Sequence, residues 1–217
     1  MLNKKKWGQK KILNFYNHNR NKWSDLYKGE KFLIKILFKK NYSVLDIGCA
    51  QGGLNNALTK ITKNFSYTGL DYNKSMILKA RKKFPKKEFV ILKNSSISKI
   101  LKKKYDIVFV LGILHLNKNW KKIIKEAYKL SKKHIVFDLR ETDAKINKKI
   151  FQNLNLNKNF KSANKIVYNI LNKKNVKIFI NKNFKKDKIR KIEYTNLPSI
   201  YTNYKKKISF CTYSISK

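Results

Sequence analysis

Arginine is nearly missing from this chain. Of 53 basic residues in 217, only Arg20, Arg81, Arg140 and Arg190 are arginines, and the rest are lysines. Acids are also scarce, twelve in all, which leaves a net charge of +41. A surface selected to grip phosphates or read guanine uses arginine's planar fork, so the shortage argues against a dedicated nucleic-acid reader. Lys, Asn, Ile, Tyr and Phe are abundant together, a set that matches AT-rich codons, and codon drift accounts for much of the basicity. A polyanion partner is the other reading. Either way, weak attraction to nucleic acid or anionic membrane follows at low salt. Two cysteines, Cys49 and Cys211, are too few for a disulfide framework, and with three scattered histidines they give no zinc-ligand spacing. No apolar run approaches the ~20 residues that cross a bilayer. The strongest, Val108 to Leu114, is far too short, and the basic N-terminus leads into no signal-peptide apolar region. No stable membrane insertion and a reducing, cytoplasmic setting are expected.

What is present argues for a folded domain. Hydrophobic residues make up 42% of the chain and aromatics 13%, enough for one sizeable core at this length. Three of the seven glycines, Gly48, Gly52 and Gly53, fall within six residues, in the stretch SVLDIGCAQGGL from Ser43 to Leu54. Val44, Leu45 and Ile47 before them read as a strand buried on both faces, and Leu54, Ala57, Leu58 and Ile61 after them recur at helical spacing. A strand, a Gly-rich turn and a helix in that order bring backbone N–H groups close to a ligand. A second short strand, Ser66 to Leu70, ends at Asp71, where an acid is placed to accept hydrogen bonds from a ribose. The pair reads as a nucleoside-cofactor site. A tight turn with no ligand is the plainer alternative for the glycines alone.

Two cofactors compete for this loop. Gly48, Ala50 and Gly53 loosely satisfy the dinucleotide fingerprint G-x-G/A-x-x-G. However, Asp46 sits inside the strand, where a dinucleotide fold places an apolar residue. The string Asp46-Ile47-Gly48-Cys49-Ala50-Gln51-Gly52 instead resembles the D-x-G-x-G-x-G motif of class I S-adenosylmethionine-dependent methyltransferases. Ala50 replaces the middle glycine, adding one methyl group.

From Asn41 onward strands and helices alternate, which argues for an α/β domain with a mainly parallel sheet. The strands are expected at 44–47, 66–71, 88–92, 105–111 and 134–139. A helix from Asn73, its N-cap, carries Met76, Ile77 and Ala80 inward and stops at Pro85. The resemblance spans about residues 41 to 142, with TyrAspIleVal at 105–108 and GlyIleLeuHis at 112–115 like the strand-four motifs of the family's small-molecule and glycan-modifying members. It implies a doubly wound, Rossmann-like sheet of seven strands. Residues 1–40 would form a helical cap, 41–142 the cofactor-binding core, and 143–217 an insertion plus an antiparallel C-terminal edge pair. Ile189 to Tyr194 and Ile208 to Ile215 suit that pair, while Lys165 to Ile170 and Val176 to Ile180 read equally as strand or helix. Trp7, Ile12, Leu13, Phe15 and Tyr16 suit one cap helix, and Phe32, Leu33, Ile36, Leu37 and Phe38 a second.

The resemblance also implies roles. Asp46, Gly48, Ala50 and Gly52 would wrap the methionine part of S-adenosyl-L-methionine, with Asp46 orienting its ammonium group. Asp71 would take the ribose hydroxyls, Tyr72 would cover the adenine, and Asn94 and Ser95 would face its amino group. Leu111 and Gly112 would lie beside the donor methyl. His115 is the candidate general base, because imidazole accepts a proton near neutral pH; a packed histidine is the plainer reading. Arg140 and Glu141, which follow strand five, could hold an acidic or hydroxylated acceptor, or else form a surface ion pair. Asp106 is expected to be structural, and no metal site is expected. The implied reaction is methyl transfer to a small molecule or a sugar of a surface-polysaccharide precursor. An RNA methyltransferase and, further off, an NAD-dependent oxidoreductase are the rivals.

Overall fold

Buried apolar runs set the centre of the molecule. β1 (Ser43–Ile47), β2 (Ser66–Asp71), β3 (Glu88–Ile91), β4 (Tyr105–Val110) and β5 (Ser131–Thr142) are parallel, in the order β3-β2-β1-β4-β5. The computed structural model describes residues 10–93, 97–154 and 165–217; Trp7, Asn94 and Ser95 therefore lie outside the described residues. Seven α-helices are described: α1 (Lys10–His18), α2 (Lys28–Leu37), α3 (Gly53–Leu58), α4 (Lys74–Lys83), α5 (Ile97–Ile100), α6 (Trp120–Leu130) and α7 (Lys173–Phe184). Asn73 caps α4 as its side-chain type favours, accepting the Met76 N–H at 3.1 Å.

Period-two alternation along the strands sorts the core into two layers. In β5, Ile135, Phe137 and Leu139 join the cluster under α6 and α7, while Val136 joins the cluster under α2, α3 and α4. Both sheet faces are covered, as a doubly wound fold requires. In the second cap helix the buried face is Leu33, Ile34 and Leu37; Phe32 and Ile36, expected inside, are exposed.

The expected antiparallel pair is present as β8 (Lys188–Asn196) and β9 (Ile208–Ser216). β9 runs along β5 from His134 to Glu141, with β8 outside it. The sheet has nine strands rather than seven, because residues 148–172 add β6 (Lys148–Asn153) and β7 (Lys165–Asn172), an antiparallel pair. β7 pairs with β5 in parallel at Glu141 and Thr142. β9 already holds one edge of β5 there, and β4 holds the other only as far as Phe137. β7 therefore continues along β4's edge, and the β6–β7 unit overhangs the C-terminal end of β4. Val176 to Ile180 is helical: Val176, Phe179, Ile180 and Phe184 fall on one buried stripe of α7.

A third apolar cluster roofs this end of the sheet. It joins Ile12 of α1, Met76 of α4, Ile150, Ile166, Tyr168 and Ile170 of β6 and β7, and Phe210 of β9. Burying a side chain such as Ile12 contributes about 2 kcal/mol, so the cap is held mainly by apolar contact. No helix among the described residues is long and apolar enough to cross a membrane.

Candidate active site

The site begins where β1 stops. Gly48, Ala50 and Gly52 take φ angles of 84°, 47° and 77°, so the chain after Ile47 turns through left-handed backbone. A side chain at Gly48 would also strike Ile113, 2.7 Å from its Cγ2 atom. Ala50, the residue in place of the middle glycine, carries a left-handed strain of roughly 1 kcal/mol. Its N–H donates to Asp71 Oδ2 at 3.0 Å, which anchors the strained residue. Asp71 Oδ1 accepts the Asn73 N–H at 2.8 Å. Each carboxylate oxygen keeps lone-pair capacity for a further donor. Burial raises the Asp71 pKa, against the pull of its bonds from the Asn73, Ala50 and Tyr72 amides.

Around these residues lies a cavity of about 290 Å³, lined by Gly48, Ala50, Leu70, Asp71, Tyr72, Asn73, Met76, Gly112 and Ile113 among others. It opens beyond the C-terminal ends of β1, β2 and β4, where the strand order reverses, the usual ligand position in such sheets. The fit to an adenosyl sulfonium rests on the lining itself. Asp71 offers acceptors, Leu70, Met76 and Ile113 offer apolar walls, and Gly112 (φ 76°) has open space where a Cβ would stand. Asp71, Tyr72, Gly48, Ala50 and Gly112 thus come together as expected. Gly52 does not reach the cavity; it caps α3, and a Cβ there would meet Phe84 and Phe89. Tyr16, Asn73 and Asn117 join the lining unforeseen.

A second cavity, of about 390 Å³, abuts the first and shares Tyr16, Gly48, Ala50, Gly112, Ile113 and Leu116 with it. Its remaining walls include Ile12, Arg20, Tyr27, Asp46, Leu111, His115, Arg140, Tyr168 and Phe210. Leu111 belongs to this cavity and not to the first. Asp46 is buried and accepts the Tyr67 hydroxyl at 2.6 Å. Burial pushes its pKa up to about 7, although the Tyr67 hydrogen bond opposes the shift.

β5 explains the two residues expected to hold an acceptor. Asp138 and Arg140 share one strand face, and Glu141 turns to the other, where it meets Tyr213 at 2.7 Å and Lys191 at 3.0 Å. Glu141 is therefore neither in the site nor paired with Arg140. Arg140 binds Asp138 at 2.6 Å and lies over the Phe210 ring, 4.2 Å from its centroid. Asp138 Oδ1 accepts the Gly112 N–H, so this ion pair also holds the turn between the cavities. Burial opposes the Asp138 charge most strongly, but Arg140, His115, the Gly112 N–H and Arg20 together outweigh it and keep the carboxyl below its usual range.

His115 stands in the 3-10 turn after β4, against the Tyr168 ring at 4.6 Å. Burial, and then the Arg140 charge, push its pKa down to about 3. It is a neutral imidazole at physiological pH, which corrects the expectation of a base titrating near neutrality. His115 Nδ1 and Arg140 Nε are both buried without a hydrogen-bond partner among the described residues. Arg20, unforeseen, enters from the cap and grips Glu30 through two bonds of 2.9 Å. An arginine amid lysines was the signal available for it. Asp106 is structural as expected, accepting the Ser43 N–H and hydroxyl. Among the described residues no group of acids, histidines and cysteines could hold a metal ion.

Comparison with known proteins agrees with this geometry. Residues 38–196 match the family model described as the methyltransferase domain. The chain is 31% identical over 97 residues to "Putative methyltransferase 235L" of Invertebrate iridescent virus 6, covering 44% of this chain and 35% of the viral protein. It thus spans about a third of that relative's length. The fold resembles magnesium protoporphyrin IX methyltransferase from Synechocystis PCC 6803 with bound SAM, at TM-score 0.57 and 14% identity over 86% of this chain and 75% of that one. It also resembles the N-terminal domain of EvdMO1 with SAH bound (TM-score 0.61, 12% identity, 88% and 80% covered). A third likeness is an S-adenosylmethionine-dependent methyltransferase from Clostridium acetobutylicum ATCC 824 (TM-score 0.59, 16% identity, 94% of both chains). With the doubly wound sheet, the loop after β1 and Asp71 already placed, the chain belongs to the methyltransferase domain family.

Proposed function

We propose that the protein transfers a methyl group from S-adenosyl-L-methionine to a small-molecule acceptor held in the second cavity. The observation that carries this reading is the meeting of the two cavities at Gly48, Ala50, Gly112 and Ile113. A donor seated against Asp71 and an acceptor seated against His115 and Arg140 would face each other across Gly112. The bound cofactor would supply an electrophilic methyl group. The chain's own residues do the rest. Asp71 holds the ribose end, and the Asp138 bond to the Gly112 N–H sets the width of the passage, while Asp46, expected at the ammonium end, lines the second cavity instead. α1 excludes water from above, tied to the Gly-rich loop through Gln51 Nε2, which donates to the Leu13 carbonyl at 2.6 Å. Positioning of this kind supplies much of the rate of a direct displacement. The roof of α1, β6 and β7 favours a small acceptor over RNA, and a sugar is one candidate of suitable size. One structural neighbour, the EvdMO1 N-terminal domain, was crystallised in the presence of SAH and D-fucose.

Calorimetric titration with S-adenosylmethionine, and separately with NAD(H), tests the donor side. Binding of the sulfonium, weakened at least tenfold in Asp71→Ala by loss of a charged hydrogen-bond acceptor, is the expected result. Binding of NAD(H) in its place would overturn the reading. Transfer of labelled methyl to RNA, falling steeply with salt, would favour the RNA alternative.

A further inference from the structure

The second cavity lies in a chain crowded with cations, yet it offers none that is unpaired among the described residues. Both arginines that line it are spent on the protein's own acids. Arg20 is bound by both oxygens of Glu30, and Arg140 by Asp138. No lysine lines it among the described residues. An anionic acceptor would shed its hydration and find no spare positive charge, and a cationic one would have to compete for carboxylates already engaged. Burying an uncompensated charge is far costlier than burying a hydrogen-bonded polar group. Two of its lining residues keep hydrogen-bonding capacity unspent, at the buried atoms His115 Nδ1 and Arg140 Nε. Arg140 Nε is a donor only, whereas a neutral imidazole nitrogen can accept. A hydroxyl group, which both donates and accepts, matches the two kinds of atom. The other walls include the rings of Tyr27, Tyr168 and Phe210, surfaces on which a flat or ring-shaped body packs.

We infer that the acceptor is an uncharged, hydroxylated ring compound without phosphate, its hydroxyl seated between His115 and Arg140. This deepens the methyltransferase reading and rests on it. In the reaction the acceptor oxygen gives an electron pair to the methyl carbon, and the carbon–sulfur bond breaks with its pair going to sulfur. The hydroxyl proton passes to His115. An oxygen that has gained a methyl group holds its proton very weakly, so an imidazole of depressed basicity suffices to remove it. His115 is thus a proton acceptor matched to a late demand, and Arg140 a residue that orients the oxygen.

A matched pair of probes tests this on the intact protein: phenol and phenyl phosphate, titrated by ligand-observed NMR against protein saturated with S-adenosylhomocysteine. Phenol is expected to bind, and to bind about fivefold more weakly in His115→Phe, which removes the imidazole nitrogens but keeps a ring, and in Arg140→Lys, which removes the Nε–H but keeps the charge. Phenyl phosphate is expected to show no binding that either variant weakens. Phenol that fails to bind, or binds both variants as well as wild type, would overturn the inference. So would phenyl phosphate binding more tightly than phenol and losing that advantage in Arg140→Lys. If S-adenosylhomocysteine itself fails to bind, the donor reading fails separately, and the same phenol titration on the free protein still decides the cavity's preference.

Discussion

Asp46 makes the stability of the free protein depend on pH in an unusual direction. Its side chain is buried, bonded to the Tyr67 hydroxyl, and burial lifts its pKa from 3.8 to about 7. The folded protein keeps a proton that the unfolded chain releases above about pH 4. The contribution to stability is therefore whole below the unfolded pKa and is lost as pH rises through about 7. An interval of roughly three pH units at 1.36 kcal/mol each puts the loss at no more than about 4 kcal/mol. Asp46→Asn removes the proton but keeps a carbonyl to accept the Tyr67 hydroxyl. In urea titrations without ligand, the variant's stability relative to wild type should rise by about 2–3 kcal/mol between pH 5 and pH 8. If Asp46→Asn were equally destabilised at both pH values, the reasoning would be refuted. The folded state would then hold an ionised carboxylate whose bond to Tyr67 is a net gain.

Three further outcomes follow from the same geometry. Arg20→Met should cost about 3–5 kcal/mol in urea unfolding, because Glu30, fully buried, would lose its partner. Ala50→Gly should raise stability by about 0.5–1 kcal/mol, seen as a higher Tm, since it relieves a left-handed alanine. Gly112→Ala should lower turnover at least tenfold while leaving affinity for S-adenosylhomocysteine within about threefold, because the new methyl would project into open space between the cavities. Steady-state transfer and calorimetry together separate those two effects.

Much of the donor side was legible in the residues. β1 and β2 declare themselves because they are buried on both faces, and Asp71 ends β2 at the wall of the first cavity. The acceptor side was harder to read. Arg20 is far from the loop in sequence, and only tertiary packing brings it to the cavity beside Arg140. The separation of Arg140 from Glu141 follows from simple strand alternation, but only once β5 is known to continue to Thr142. β6 was hidden and β7 stayed open between strand and helix, because their apolar residues are interleaved with lysine and asparagine, with neither glycine nor proline to mark their ends. Gly52 shows the limit of a motif, since the same three letters serve a ligand at one position and helix packing at another.

The placement of β9 has a consequence for how the molecule assembles. β5 is central to the sheet, yet one of its edges is satisfied from His134 to Glu141 only by a strand that arrives last in chain order. Until β9 docks, that edge presents a row of open amides and carbonyls, a template for pairing with any extended chain nearby. The loop it closes is long, so this step is expected to be the slow one in folding. The amides of β5 that face β9 would gain hydrogen-exchange protection after those that face β4. A protein built this way can complete the strands that carry its donor site before the sheet that supports them is sealed.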